Sequence, residues 1–401
     1  MKKVFIISAG VVAAAIVIYL IKINQFYKKI YTPIPINPAS TPIPERTEYN
    51  ILLLGYAGGR HEGTYLTDTV IVMHFDSKRK QAFMLSLPRD LWVKLPTKSG
   101  ADFRAKINTI YETELFPNHF PDLDSKLAGG KSDAELTKFI LSQITGLEID
   151  NYLAIDFASF TKAVDVLGGV DIDVARSFID EKYPIDGKQD DLCEKDEQFK
   201  QVEPFLPPKV YNDEEKEKLL REKPELDEFL RQATEEPQLA FPCRYEKLAF
   251  AAGPQHMDGA TALKFVRSRQ SAQDGGDFAR ARRQQQLIEA LRAKVLTVGF
   301  IPKLPSLLKE LQDYIKTDVS PDLIKKFIGE VSRAGDYKLT SLVLSDQNVL
   351  TPDKSENGQF ILIPKYGQDD WESVRKYIKD ILAGITPTPS RSPTFNPIIT
   401  K

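Results

Sequence analysis

Five arginines fall within positions 267–283 (Arg267, Arg269, Arg280, Arg282 and Arg283) in a chain whose formal charge is only −2. The guanidinium group matches phosphate and carboxylate through paired hydrogen bonds. If Arg267-Ser268-Arg269 is extended, side chains two apart point the same way, and two guanidiniums on one side repel unless an anion sits between them. On a helix, Asp277, Arg280 and Gln284 fall at i, i+3 and i+7, one stripe, and a helix N-terminus adds partial positive charge. The same stripe also reads as a solvated charged face. Pro88-Arg89-Asp90 directly follows a strand-like run, and strand ends are where α/β sheets place ligands. By itself it reads equally as a surface ion pair. Leu66-Thr67-Asp68-Thr69 opens a strand with an acidic residue that in isolation is an ordinary turn residue.

Taken together with Arg89 and Lys106, these arginines suit an anion carrying more than one charge. Asp68 and Asp277 are awkward beside a phosphate unless a divalent cation intervenes. Mg²⁺ takes one or two carboxylates plus phosphate oxygens and waters, so a pyrophosphate with Mg²⁺ is the ligand pair these residues suggest. There is no Walker-type glycine loop, nucleophile elbow or His-Glu-x-x-His motif. Four histidines, no two at helical ligand spacing, and two cysteines argue against a histidine-based metal centre and a cysteine-rich zinc site. The 54 basic and 56 acidic residues nearly cancel, which removes the basic field a duplex-binding domain needs, and no nucleic-acid partner is expected.

The elements that must position these residues read as mixed α/β. Asn50–Gly55 is a buried strand ending in glycine. Thr69–Phe75 and Gln81–Leu87 are strands joined by the turn-like Asp76-Ser77-Lys78-Arg79, hence a hairpin. Ser132-Asp133-Ala134-Glu135 reads as a capping box opening a helix that Gly146 closes. Tyr152–Asp156 is a strand. Phe157, Phe160, Val164 and Leu167 mark the buried face of a helix stopped by Gly168-Gly169. Val170–Val174 is a further strand, and Asp277–Thr297 the longest helix. A helix-rich section follows over 301–384, with strands near 338–344 and 360–363. Strands alternating with helices imply helices covering a mixed central sheet.

Val4–Ile21 is an uncharged run flanked by lysines. Its length is enough to span a bilayer as a helix, and its bulky end is poor for cleavage. The expectation is a single transmembrane anchor within 1–30, its short N-terminal stub in the cytoplasm and the large domain outside. Five prolines within Tyr31–Arg46 make a semi-rigid spacer over 31–48. The Pro/Ser/Thr segment Thr386–Pro397 makes 386–401 a disordered tail.

The chain resembles the LytR-CpsA-Psr family. The matching segments are LTDTVIVMHFDSKRKQAFMLSLPRDLWVKLP (66–96), KINTIYE (106–112), GLEIDNYLAIDFASFTKAVDVLGGVDIDV (146–174), FAAGPQHMDGATALKFVRSR (250–269) and GGDFARARRQQQLIEAL (275–291). The resemblance implies an α/β/α sandwich with a mixed central sheet and an apolar tunnel for a lipid tail. It also implies transfer of a glycopolymer from a polyprenyl-pyrophosphate carrier to peptidoglycan, with Mg²⁺ as cofactor. Carried over residue by residue, Asp68 and Asp277 hold the metal. Arg89, Lys106, Asn108, Arg267, Arg269, Arg280 and Gln284 bind the pyrophosphate, and Arg89, Asp90 and Asp277 are the catalytic candidates. The catalytic domain then covers 49–300, with 301–385 an extension packed on it. Where many members carry Gly-Ile-Asp after the first strand, this chain has Gly55-Tyr56-Ala57-Gly58-Gly59. Mg²⁺ would therefore have fewer direct ligands, or Glu62 or a water would replace the absent one. A second arginine often found after Pro-Arg-Asp is also absent; Leu91-Trp92-Val93 stands there.

An insertion of about 181–247 does not fit that core. Its segment 213–236 reads as one or two surface helices, and Cys193 and Cys243 bracket it. Outside the cytoplasm such a pair is expected as one disulfide, and the insertion is expected to cap the tunnel or shape acceptor choice. The functional expectation is a membrane-bound extracytoplasmic phosphotransferase. The alternatives are a non-catalytic polyprenyl-phosphate-binding regulator and a pyrophosphatase that hydrolyses the lipid-linked donor.

Overall fold

In the computed structural model, the described residues are 46–59, 63–124, 133–206, 213–295, 315–320 and 337–385, with Ile21, Gln25, Leu323 and Lys326. The anchor over 4–20, nearly all of the proline-rich spacer, Glu62, the apolar faces at 304–311 and 324–328, and the tail over 386–401 lie outside them. Among the described residues, no helix is long and apolar enough to cross a membrane.

The chain divides into two compact units. The first is built from Met1–Ile172, His256–Leu263 and Ala281–Lys401, the second from Asp173–Gln255 and Lys264–Arg280.

The first unit is organised by a six-stranded mixed sheet. Strand β1 (Glu48–Tyr56) runs antiparallel to β2 (Thr67–Asp76), which runs antiparallel to β3 (Gln81–Ser86). The β2–β3 turn is closed by Asp76, whose side chain accepts from the backbone N–H groups of Lys78 and Arg79. A short hairpin follows, β4 (Trp92–Leu95) on β5 (Phe103–Lys106). Strand β6 (Asn151–Asp156) lies parallel to β1. Strands β7 (Val170–Val174) and β10 (Gly253–Met257) are short. Strand β11 (Ile315–Thr317) pairs with β6, and β12 (Lys338–Val343) pairs with β3. Residues 301–385 therefore contribute both outer strands of the sheet, and the expected boundary at 300 falls inside one layer. A hairpin of β13 (Leu350–Lys354) and β14 (Phe360–Pro364) completes the strands of this unit.

Alternation along the strands explains the two faces. Leu52, Leu54, Val70 and Val72 point one way and are essentially without solvent. Ile71, Met73 and Met84 point the other way and pack with Ile288 of the long helix α9 (Gly276–Val295). Among the described residues, the other helices of this unit are α1 (Ile110–Leu115), α2 (Glu135–Thr145), α3 (Phe157–Val166) and α10 (Trp371–Leu382). Gly146 closes α2 with φ of 72°, a conformation only glycine adopts at low cost.

The expected capping box at 132–135 is not what starts α2. The N-cap residue is Ala134, with no side-chain bond. Instead the buried Glu114 carboxyl accepts from the backbone N–H groups of Leu136 and Thr137 and from the Thr137 hydroxyl. Burial outweighs these bonds and pushes Glu114 up to about 8. A folded-state pKa above the unfolded value favours folding below about 4.5 and loses that contribution as pH rises through about 8. Stability of the native protein should therefore fall relative to Glu114→Gln between pH 5 and pH 8, as read by parallel chemical denaturation. Parallel curves would show that the group does not titrate in this window.

The second unit holds β8 (Phe178–Pro184) against β9 (Tyr245–Phe250). Between them lie α4 (Asp196–Val202), α5 (Asp213–Glu222), α6 (Glu225–Glu235) and α7 (Pro237–Ala240). Segment 213–236 is thus two helices. Phe229, Leu230, Phe241, Val202 and Leu226 form a small apolar cluster of their own. Cys193 and Cys243 are joined as a disulfide across a separation of 50 residues. Helix α8 (Gly259–Arg267) precedes the arginine-rich turn.

Candidate functional site

In the first unit, pairing brings the C-terminal ends of β1, β3 and β6 to one edge of the sheet, beside the start of β2. Tyr56 is opposite Thr67, with a bulge after Gly55, and Tyr56 is also opposite Asp156. Asp68 leaves this edge one residue beyond Thr67, and Pro88-Arg89-Asp90 turns back from the end of β3. The turn is pinned by the backbone. Leu91 N–H donates to Pro88 C=O, Asn108 N–H to Arg89 C=O, and Leu362 N–H to Asp90 C=O. The Thr67 hydroxyl donates to Asn108 C=O at 3.2 Å, which ties the Lys106-Ile107-Asn108 segment to the same edge.

The side chains then converge. Arg89 Nη1 lies 2.8 Å from Asp68 Oδ1, and Arg89 Nε 3.5 Å from Asp90 Oδ2. Lys106 Nζ donates to Asp90 Oδ1 at 2.6 Å. Asp90 is buried and so held between two cations, whereas Arg89 and Asp68 keep 25% and 32% of their side-chain surface. Asn108 Oδ1 is buried with no hydrogen-bond partner among the described residues. The sequence-selected residues Asp68, Arg89, Asp90, Lys106 and Asn108 are thus one cluster.

In the second unit, Arg267 is the last residue of α8, so Arg267-Ser268-Arg269 is a helix end and not the extended stretch that would aim both guanidiniums alike. Arg267 Nη1 donates to both Asp186 oxygens, at 3.2 and 3.1 Å, and its guanidinium lies 5.7 Å from the Tyr183 ring centroid. Arg269 instead lies 4.0 Å from Asp277, and Arg280 3.2 Å from the same Asp277 oxygen. Asp277 therefore gathers Arg269 and Arg280, while Arg267 has a separate carboxylate.

The beginning of α9 is not a solvated face. Arg280, Arg283, Gln284 and Gln285 are all buried. Of the two neighbouring amides, Gln285 makes the tie in the first unit: its Nε2 donates to Ser86 Oγ and Leu342 C=O, both at 2.9 Å.

Asp180 was not among the candidates, although the turn depends on it. It is 1% exposed. Its carboxylate accepts from Ser268 Oγ at 2.6 Å, and from the backbone N–H groups of Arg269 and Gln270, both at 3.1 Å. The signal was present in Phe178-Ile179-Asp180, an acidic residue sharing the inward face with Phe178. Gly275 completes the turn: a Cβ there would lie 2.0 Å from Ser271 C=O and 2.8 Å from Arg269 C=O. Replacing Asp180 with alanine deprives three donors of their acceptor at once, at about 1–3 kcal/mol per orphaned buried donor. We expect Asp180→Ala to lose several kcal/mol in urea unfolding, and Asp180→Asn to retain part of it. A loss below about 1 kcal/mol in the alanine variant would refute this anchoring role.

In the first unit, Asp68 offers a partly exposed carboxylate beside Arg89, and Asn108 a buried oxygen with no hydrogen-bond partner among the described residues. In the second unit, Asp277 offers a partly exposed carboxylate beside Arg269 and Arg280. Among the described residues, the only close trio of possible ligands is Asp191 with Cys193 and Cys243, and both sulfurs of that trio are in the disulfide.

The selected arginines thus lie in arginine–carboxylate clusters, on a mixed α/β fold. The family model LytR_cpsA_psr matches residues 19–365, and the chain belongs to the LytR_cpsA_psr family. It is 24% identical over 278 residues to the polyisoprenyl-teichoic acid–peptidoglycan teichoic acid transferase TagV of Bacillus subtilis, an overlap of 69% of this chain and 51% of the relative. It is also 24% identical to biofilm regulatory protein A of Streptococcus mutans, covering 81% of this chain and 63% of the relative. The chain thus spans between half and two thirds of these relatives' length. The crystal structure of B. subtilis TagV superposes with a TM-score of 0.51 at 22% identity, over 86% of this chain and all of that one. The α/β fold with a mixed central sheet is shared with that structure.

Proposed function

We propose that this protein is a membrane-anchored, extracytoplasmic phosphotransferase. It moves a glycopolymer from a polyprenyl-pyrophosphate carrier to a peptidoglycan acceptor. The observation that carries the reading is the Arg89 cluster, a guanidinium fixed at a sheet edge by Asp68 and backed by the Asp90–Lys106 pair. Family membership and the transferase name of TagV support it. The anchor is the apolar run Val4–Ile21, which places the folded units outside the membrane.

Arg89 binds the diphosphate and offsets charge that builds on its oxygens, the main task in phosphoryl transfer. Asp90 is a positioning residue that orients Arg89 and Lys106. Arg269 and Arg280, gathered by Asp277, and Arg267 are the second unit's anion-binding residues. The acceptor hydroxyl oxygen forms a bond to the glycan-side phosphorus. The bond from that phosphorus to the bridging oxygen breaks, and the lipid monophosphate leaves. The hydroxyl proton passes to a carboxylate, for which Asp277 is more exposed than Asp90. Mg²⁺, when bound, would supply charge neutralisation at the phosphoryl oxygens; in the first unit Asp68 and Asn108, and in the second unit Asp277, are the residues whose oxygens suit it.

The test is turnover by the full chain in detergent, with lipid-pyrophosphate glycan, Mg²⁺ and peptidoglycan fragments. A phosphodiester-linked product is expected. Intact lipid binding without product would overturn the transferase reading. It would favour a non-catalytic binder, a reading that the acid-free Gly55–Gly59 segment and the regulatory name of the S. mutans relative also support.

A further inference from the structure

The first unit holds a cavity of about 480 Å³ at the ends of β1 and β6, within the size range of small-molecule sites. Its character is unlike that of the arginine clusters. Four aromatic rings run through it in sequence: Phe116 lies 5.4 Å from Tyr65, Tyr65 5.6 Å from Tyr56, and Tyr56 5.9 Å from Tyr111, centroid to centroid. Tyr56 and Tyr111 are the buried end; Phe116, at 38% exposure, is the open end. The polar groups of the wall are the carboxylates of Asp133 and Asp156, the Lys316 ammonium and the Thr64 hydroxyl.

Among the described residues, two carboxylates against one ammonium leave the wall net negative, and no arginine lines it. A diphosphate is therefore repelled here. A neutral ring with many hydroxyls is suited to it: its C–H face lies on an aromatic ring, and its hydroxyls donate to carboxylates, which accept only. Burial holds the Tyr56 phenol well above the usual tyrosine range, so it remains a donor at every physiological pH. The floor is fixed by Asp156, which accepts from Ser159 N–H at 2.8 Å. It is shaped by Gly58, with φ of +71°, where a Cβ would lie 2.8 Å from Asp156 Cβ.

The geometry points to a carbohydrate subsite in this cavity, built for an uncharged sugar ring, with Tyr65 and Phe116 as the stacking platform and Asp133 as a hydroxyl acceptor. The inference deepens the proposed function, and rests on it only for the origin of the sugar, which is either the glycan of the donor or the peptidoglycan acceptor.

The experiment is calorimetric titration of the full chain in detergent, without lipid or Mg²⁺. One arm uses a peptidoglycan-type disaccharide fragment and the other a 1-phosphorylated N-acetylhexosamine disaccharide of the donor type. At least one saccharide is expected to bind, with Kd raised tenfold or more by Tyr65→Ala and by Asp133→Asn. Preference for the unphosphorylated fragment assigns the cavity to the acceptor, and preference for the other assigns it to the donor. Absence of binding in both arms overturns the subsite, as does binding that Tyr65→Ala and Asp133→Asn leave unchanged. Circular dichroism of each variant, with Phe116→Ala as a second probe at the open end, separates loss of the site from loss of fold. Because no transfer is measured, a failure of the phosphotransferase reading and a failure of this subsite are read separately.

Discussion

Arg89→Ala should lower the rate of glycan transfer by about a hundredfold to a thousandfold, the usual cost of removing one donor aimed at developing negative charge. Its stability should change little. The Arg89–Asp68 pair is partly exposed on both sides, and such pairs contribute about 0–1 kcal/mol. Arg89→Lys keeps the charge and loses the planar fork, so it should fall between the two, because a point charge replaces a bidentate donor. The readout is product formation at saturating lipid donor, with unfolding midpoints alongside. A fall of less than about fivefold, with an unchanged midpoint, would remove Arg89 from the chemistry.

The largest stability loss is expected at Asp318, far in sequence from that edge. Its side chain has no solvent exposure and lies 2.5 Å from Lys138 Nζ. It also accepts from Tyr152 N–H at 2.7 Å and Asn151 Nδ2 at 3.2 Å. Burial works against the Lys138 charge, but Asp318 and Glu135 outweigh it and hold that pKa above the ordinary value. Asp318→Ala leaves the buried Lys138 ammonium with Glu135 alone, at 2.9 Å, and a strand N–H without its acceptor, which should cost roughly 3–5 kcal/mol. Lys138→Met in the same chain should recover part of it, since the under-compensated buried charge goes too. Guanidinium unfolding of the native chain, the two single variants and the double variant measures this, and additive losses would disprove the coupling.

Much of the first unit was legible because its signals are local. The alternation in Thr69–Phe75 and Gln81–Leu87 with Asp76 between them identifies the β2–β3 hairpin, and Val170–Val174 matches its strand end to end. Residues whose partners lie far away in sequence were not legible. Ser132-Asp133-Ala134-Glu135 has the look of a cap, yet Glu114 does the capping from another helix. Ile315–Thr317 is only three residues long and becomes a strand by pairing with β6. Strand β13 carries Pro352 and charged residues, and tertiary pairing overrides that weak propensity.

The site follows the same division. Arg89, Asp68 and Lys106 could be chosen by type and position, because strand ends and turns announce themselves. Asp180 carried only the weaker signal of an inward-facing acid beside Phe178, since its importance lies in three donors near 268–270 that lie beyond an insertion in the sequence. The aromatic cavity was equally invisible, as Tyr56 and Tyr65 come from the end of β1 and the loop after it, and Tyr111 and Phe116 from α1 and its end.

Strands β11 and β12 occupy the two rims of the central sheet, and both come from the part of the chain after residue 300. A truncated protein ending near residue 300 would uncover β6 on one side and β3 on the other, exposing rows of backbone donors and acceptors that readily recruit neighbouring molecules. Shortened versions intended for crystallisation or screening should therefore retain the chain through α10, because trimming it converts a closed layer into a template for self-association.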